Sequence, residues 1–181
     1  YISNATLLSI QNLKHSKGNK MTHLLIGDQA PDFTLPITEN LNINLNDIKN
    51  KFIILYFYPK DSTPGCTIEA KDFNCLTDDF AKLNAIVFGI SKDSIESHTK
   101  FKNKYNLDTL NLLSDTSNIC EKYGVFVKKS FLGKSYMGIN RTTFLIDKHH
   151  KIAYIWDNIS AKGHASNVLR ITQQVKDNLN I

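Results

Sequence analysis

The residues of this chain best suited to chemistry stand together at Thr63-Pro64-Gly65-Cys66-Thr67, where an apolar run ends and a helical pattern begins. The end of a central strand is the usual seat of a site in an open α/β sheet. Thr63 is suited to cap a helix, and Pro64 has the fixed φ and missing N–H of a first helical residue. Gly65 admits close approach of a backbone or a ligand. Cys66 is therefore expected in the first turn, near open N–H groups and the positive end of the helix dipole. Such a position favours the thiolate, which is the nucleophilic form of cysteine. A buried, inert thiol is the competing reading, but a cysteine beside a cap, a proline and a glycine is an odd core residue.

The other cysteines read as inert. Cys75 lies nine residues further along the same expected helix, which is about 13 Å along the axis and on the opposite side. A disulfide needs Cα atoms within about 7 Å, so Cys66 and Cys75 cannot pair while the helix stands. Cys120, between Ile119 and Tyr123 in a short helical stretch, reads as a small buried side chain, with a partner-thiol role as the alternative. No metal is expected: Cys-x-x-Cys, His-x-x-x-His and acidic calcium-loop patterns are all missing. His149-His150 falls in an expected hairpin turn and reads as solvent-exposed. Neither a glycine-rich phosphate loop nor a Gly-x-Ser-x-Gly elbow occurs, and no cofactor is implied. Only two of the 22 basic residues are arginine, Arg141 and Arg170. A task that lysine cannot perform is therefore worth seeking at either one.

The elements that must hold Cys66 are visible in the periodicity. Residues 51–58 form a continuous apolar, β-rich run, the mark of a strand buried on both faces. Residues 66–83 carry Ile68, Phe73, Leu76, Phe80 and Leu83 at helical spacing. Residues 85–91 read as a second buried strand, 94–105 as a helix, 110–113 as a short strand and 118–123 as a short helix. Residues 141–147 and 151–156 read as a hairpin, and 162–179 as a closing helix with Val168, Ile171 and Val175 on one face. The order predicts an α/β fold, with helices flanking a central mixed sheet.

The 181 residues suit one domain, expected over 21–181. Residues 1–20 lack a strong pattern and are expected to be a disordered leader: a cloning remnant, a translated upstream segment or a targeting segment. The hydrophobic share of 41% and charged share of 22% are those of a core-forming chain. The longest apolar run, 52–58, is far short of the ~20 residues of a membrane helix, so no membrane partner is expected. Three of the charges behind the net +5 fall in the first twenty residues, and no basic cluster with interleaved aromatics suggests nucleic acid. Three cysteines, an odd number, argue for a reducing compartment, the cytoplasm, rather than a disulfide-stapled secreted scaffold.

Phe57-Tyr58-Pro59 followed by Asp61-x-Thr63-Pro64-Gly65-Cys66-Thr67 resembles the active-site segment of peroxiredoxins, and within them the bacterioferritin-comigratory (PrxQ) group. The likeness extends over the chain from Met21. Gly27-Asp28-Gln29-Ala30-Pro31-Asp32-Phe33 is similar to that family's opening strand, and Leu113-Ser114-Asp115 and Tyr123-Gly124-Val125 to its mid-domain signposts. Gly133-Lys134-x-Tyr136-x-Gly138-Ile139-x-Arg141-Thr142-Thr143-Phe144-Leu145-Ile146-Asp147 is similar to its late strand, and Gly163-His164-Ala165 to the start of its last helix. The resemblance implies a thioredoxin-like fold and an antioxidant thiol peroxidase that reduces hydrogen peroxide and organic hydroperoxides. It implies that Cys66 is the peroxidatic thiolate. Thr63 would hydrogen-bond the peroxide, Pro64 would shield the sulfur, and Arg141 would favour the thiolate and bind the peroxide oxygens. Pro59, Pro64 and Gly65 would line the substrate pocket.

One departure bears on the reaction cycle. Many members carry a resolving cysteine five residues after the first, where this chain has Lys71, and others place it in the following helix, where 94–105 has none. The expectation is a one-cysteine cycle completed by an external thiol: thioredoxin, glutaredoxin or a small thiol. The resemblance also implies a monomer. Two other readings share the fold. A thioredoxin-type disulfide oxidoreductase or chaperone usually has Cys-x-x-Cys, and Thr63 stands at the first cysteine position. A non-catalytic interaction domain would use Cys66 as a redox sensor.

Overall fold

The computed structural model describes residues 22–179, so the expectations for residues 1–20 fall outside the described residues. Along the chain the strands are β1 (Thr34–Thr38), β2 (Leu41–Asn44), β3 (Phe52–Phe57), β4 (Ala85–Ser91), β5 (Asn111–Ser114), β6 (Phe126–Phe131), β7 (Lys134–Ile139), β8 (Thr142–Ile146) and β9 (Ile152–Trp156). The helices are α1 (Pro64–Cys75), α2 (Thr77–Lys82), α3 (Ile95–Tyr105), α4 (Ile119–Lys122) and α5 (His164–Leu179).

β3 is buried at all six positions and sits at the centre of a five-stranded sheet of order β5-β4-β3-β8-β9. It runs parallel to β4 and antiparallel to β8, with Phe57 opposite both Ile90 and Thr142. The sheet is therefore mixed, as expected. Alternation along β3 serves two cores. Phe52, Ile54 and Tyr56 face one, where Ala70 and Phe73 of α1, Phe101 of α3 and Val168 and Ile171 of α5 pack. Ile53, Leu55 and Phe57 face the other, with Leu35, Leu45, Ile119, Cys120 and Tyr123. Each such side chain is stabilised by about 1.5–3 kcal/mol on burial, more than the whole ~1 kcal/mol span of strand propensity. Packing thus sets the register. Gly89 is required here, since a Cβ would lie 2.5 Å from the Tyr56 ring.

Four expectations need correction. The helical pattern of 66–83 is two helices, beginning at Pro64 and broken at Leu76. Thr77 causes the break: its Oγ1 donates to the carbonyls of Asn74 (2.8 Å) and Phe73 (3.3 Å), competing with the backbone ladder and bending the helix. Residues 27–33 form no strand beyond a bridge between Gln29 and Lys151, and the first strand begins at Thr34. The stretch 133–139 joins no late strand of the main sheet. It pairs with β6 in a separate hairpin turned by Leu132 and Gly133, both at positive φ (48° and 76°). That geometry is a tight primed turn without the usual Asn-Gly signature. The hairpin of β8 and β9 is as expected, except that His150 is buried, its Nε2 2.7 Å from the carbonyl of Ile48.

Candidate active site

α1 starts where β3 ends. Thr63 holds the extended N-cap backbone and Pro64 is the first helical residue, so Cys66 is the third. The first ladder bond is Thr67 N–H to the Thr63 carbonyl at 2.9 Å. Pro64 has no N–H, and the amides of Gly65 and Cys66 find no acceptor among the described residues. The turn that carries the sulfur therefore also holds open donors and the positive end of the helix. Cys66 is only 2% exposed.

Arg141 immediately precedes β8, and its neighbours fix its backbone. The Asn140 side-chain Nδ2 donates to Asp157 Oδ1 at 3.1 Å, and Thr142 Oγ1 does so at 3.1 Å. From there the guanidinium reaches across to α1. Its Nη2 donates to Cys66 Sγ at 3.3 Å, and its Nη1 donates to Glu69 Oε2. A Cβ on Gly65 would stand 3.3 Å from the same Nη2, so the glycine leaves room for the arginine. The planar fork serves sulfur and carboxylate together, which an ammonium cannot do.

Glu69 escapes the sequence reading. It is fully buried, and burial pushes its carboxyl up to about 7 against the pull of Arg141. A glutamate three residues past a cysteine on a helix looks like a surface residue, so only the packing of α1 reveals it. Two more groups were not singled out. Lys129 of β6 donates to the Ile139 carbonyl at 2.7 Å, and burial together with Arg141 lowers its pKa. His164 pairs with Thr143 Oγ1 at 2.8 Å between the rings of Phe73 and Trp156, and burial lowers it to about 3. It is therefore neutral and adds no charge beside Arg141.

The other expected site residues lie as follows. Thr63 takes the N-cap backbone but does not cap with its side chain, whose Oγ1 donates to the Lys60 carbonyl at 3.0 Å. Its hydroxyl bonds neither Cys66 nor Arg141. Pro59 and Pro64 are exposed at the two ends of the loop, and Gly65 is half-buried beneath Arg141. Cys75 is exposed at the far end of α1, and Cys120 is buried in the core on the other side of the sheet. Among the described residues no group of His, Cys, Asp and Glu could hold a metal ion, and no helix is long and apolar enough to cross a membrane.

Comparison with known proteins matches residues 26–155 to the model of the AhpC/TSA family. Peroxiredoxin Bcp of Bacillus subtilis is 43% identical over 152 residues, covering 84% of this chain and 97% of the relative. The crystal structure of Xylella fastidiosa PrxQ superposes with a TM-score of 0.79 at 35% identity, covering 84% of this chain and 98% of that one. The bacterioferritin comigratory protein of Xanthomonas campestris, solved in connection with its alkyl peroxide reduction activity, gives a TM-score of 0.78 at 33% identity, covering 85% and 98%.

Proposed function

The chain belongs to the AhpC/TSA family of peroxiredoxins, in the Bcp/PrxQ subfamily, and is a thiol peroxidase; we propose that it reduces hydrogen peroxide and alkyl hydroperoxides at Cys66 in a one-cysteine cycle. The observation that carries this reading is the Arg141 guanidinium, 3.3 Å from a buried sulfur at a helix N-terminus. The alkyl substrate class follows the activity named for the Xanthomonas campestris relative.

The Cys66 thiolate attacks the terminal peroxide oxygen, forming an S–O bond as the O–O bond breaks. The bonding pair leaves on the alkoxide or hydroxide, which takes a proton and departs as alcohol or water. Cys66 is then a sulfenic acid. Negative charge grows on the leaving oxygen, and the open amides of Gly65 and Cys66 and the guanidinium are the donors that would stabilise it. Thr63 completes the site with its hydroxyl oxygen, and Pro64 and Pro59 bound the approach. An external thiol then displaces water from the sulfenic acid to give a mixed disulfide. A second thiol releases Cys66 and leaves as the reductant's disulfide.

The positions of the other cysteines support the external thiol. Cys75 is a helix length away, and Cys120 lies across the sheet. Burial and the Asp115 carboxylate raise the Cys120 thiol far above its usual range, so it is a poor nucleophile. Thioredoxin, glutaredoxin or a small thiol serves as reductant, and the protein works as a monomer in the cytoplasm. The test is peroxide consumption with dithiothreitol. Cys66→Ser should abolish it, while Cys75→Ser combined with Cys120→Ala should keep at least about half of the wild-type turnover, a change too small to reflect a lost chemical step. Loss of turnover in a folded double variant would overturn the one-cysteine cycle.

A further inference from the structure

The loop that delivers Cys66 is short and strained. Ser62, exposed and not a glycine, sits at φ 61°, a left-handed conformation that other residues seldom adopt without anchors on both sides. On the far side the anchor is α1 itself. On the near side it is Asp61, a buried carboxylate in a loop whose neighbours Lys60 and Ser62 are exposed.

Asp61 is held entirely by other elements. Tyr58, just past β3, donates its hydroxyl to Oδ1 at 2.6 Å. Two residues of α3 meet Oδ2: Ser97 Oγ donates at 2.7 Å, and His98 Nδ1 lies at 2.8 Å. The Asp61 amide donates to Asp93 Oδ2 at 2.8 Å. Asp93 is fixed in turn by Ser91, whose Oγ donates to the same oxygen at 2.8 Å, and its carbonyl accepts from Ser114 Oγ at 2.6 Å. The loop is thereby tied to β4, β5 and α3 through one side chain and one amide.

The His98 end of this cluster has a defined chemistry. Asp61 is ionised, since its hydrogen bonds from His98, Tyr58 and Ser97 together hold its pKa below the usual value despite burial. A carboxylate only accepts, so Nδ1 carries the proton and donates it. The other ring nitrogen, Nε2, is buried and has no partner among the described residues. One nitrogen of this histidine therefore does all of its bonding.

We propose that Asp61 and His98 form a latch that positions the Cys66 loop, coupling α3 to the presentation of the thiolate. With the latch made, the sulfur stays buried under Arg141. With the latch broken, the loop relaxes from its left-handed turn, Cys66 swings out, and attack on peroxide loses its geometry. Both are positioning residues, and neither is asked to touch substrate. The inference rests on Cys66 being the reacting cysteine.

The orphaned Nε2 supplies a test that a merely structural histidine would not pass. An asparagine amide reaches where Nδ1 sits, whereas a glutamine amide reaches where Nε2 sits. In a Cys75→Ser background, His98→Asn, His98→Gln, His98→Leu and Asp61→Ala are compared by two rates measured on folded protein at 25 °C. One is single-turnover oxidation of Cys66 by hydrogen peroxide, and the other is labelling of Cys66 by a maleimide carrying a polyethylene glycol chain. His98→Leu, His98→Gln and Asp61→Ala should oxidise about tenfold more slowly and label about tenfold faster, the opposite signs marking an opened loop. His98→Asn should stay within about threefold of wild type in both. Wild-type rates in His98→Leu, or equal losses in His98→Asn and His98→Leu, would overturn the latch. If Asp61→Ala does not fold, the histidine series still decides. A wild-type protein inert to peroxide sinks the peroxidase reading alone, because the labelling contrast does not depend on it.

Discussion

At the scale of single residues the site is a matter of charge held out of water. Arg141 stands between two groups that carry negative charge when ionised, Cys66 and Glu69, and one of these is fully buried. The folded-state pKa of Glu69, about 7, lies above its ordinary 4.5. A carboxyl raised in this way binds its proton more tightly in the folded state, so stability is greatest below the ordinary value and is lost as pH rises towards 7. The full loss above that point is on the order of 3 kcal/mol. Glu69→Gln, which keeps the shape and cannot ionise, should flatten the fall in urea midpoint between pH 5 and 8. A slope unchanged from wild type would show that Glu69 is charged at no cost. Arg141→Lys keeps one cation but not the fork, and should lower kcat/KM for peroxide by roughly 100-fold. The placement of Cys66 at the start of α1 was legible in the sequence from the proline and glycine before it, and the proposed role of Arg141 from the scarcity of arginine and from the family likeness. Glu69 and His98 were not, because nothing in a helical heptad says that a charged or polar side chain will be turned inward.

At the scale of elements, two of them share one narrow contact: the first turn of α1 and the start of β8 meet at Gly65 and Arg141. A Cβ at Gly65 would come to 3.3 Å from Nη2, close enough that the guanidinium must give by a few tenths of an ångström. Alanine is also the better helix former by about 1 kcal/mol. Gly65→Ala should therefore raise or preserve the melting temperature while slowing Cys66 oxidation several-fold, because the arginine is moved off the sulfur. A variant less stable yet equally fast would show that the contact has slack. The strands were readable where burial wrote them, as in β3 and β4, whose every position but one is buried. The pairing of β6 with β7 was not, since Phe131, Leu132, Tyr136 and Met137 lie exposed and their alternation marks no core. The break at Leu76 was hidden for another reason. It depends on a threonine hydroxyl finding carbonyls of the preceding turn, and helical periodicity continues through it.

At the scale of the molecule the sheet acts as a partition. Tyr56 and Cys66 lie in one core and Phe57 and Cys120 in the other, so a sulfenic acid formed at Cys66 has no thiol on its own side except Cys75, at the far end of α1. Internal capture would require α1 to unwind, and Phe73, fully buried against Tyr56 with ring centroids 4.5 Å apart, opposes that. In the proposed one-cysteine cycle the fate of the oxidised sulfur is decided from outside by whichever arrives first, a thiol or a second peroxide. Treated with excess hydrogen peroxide in the absence of thiol, the protein should accumulate sulfinic acid at Cys66. Treated with stoichiometric peroxide in the presence of a small thiol, it should instead carry one mixed disulfide at Cys66. Peptide mass spectrometry without reduction reads both outcomes. A bond from Cys66 to Cys75 or Cys120 as the main product would mean that the partition opens during turnover, and that the cycle closes within the chain.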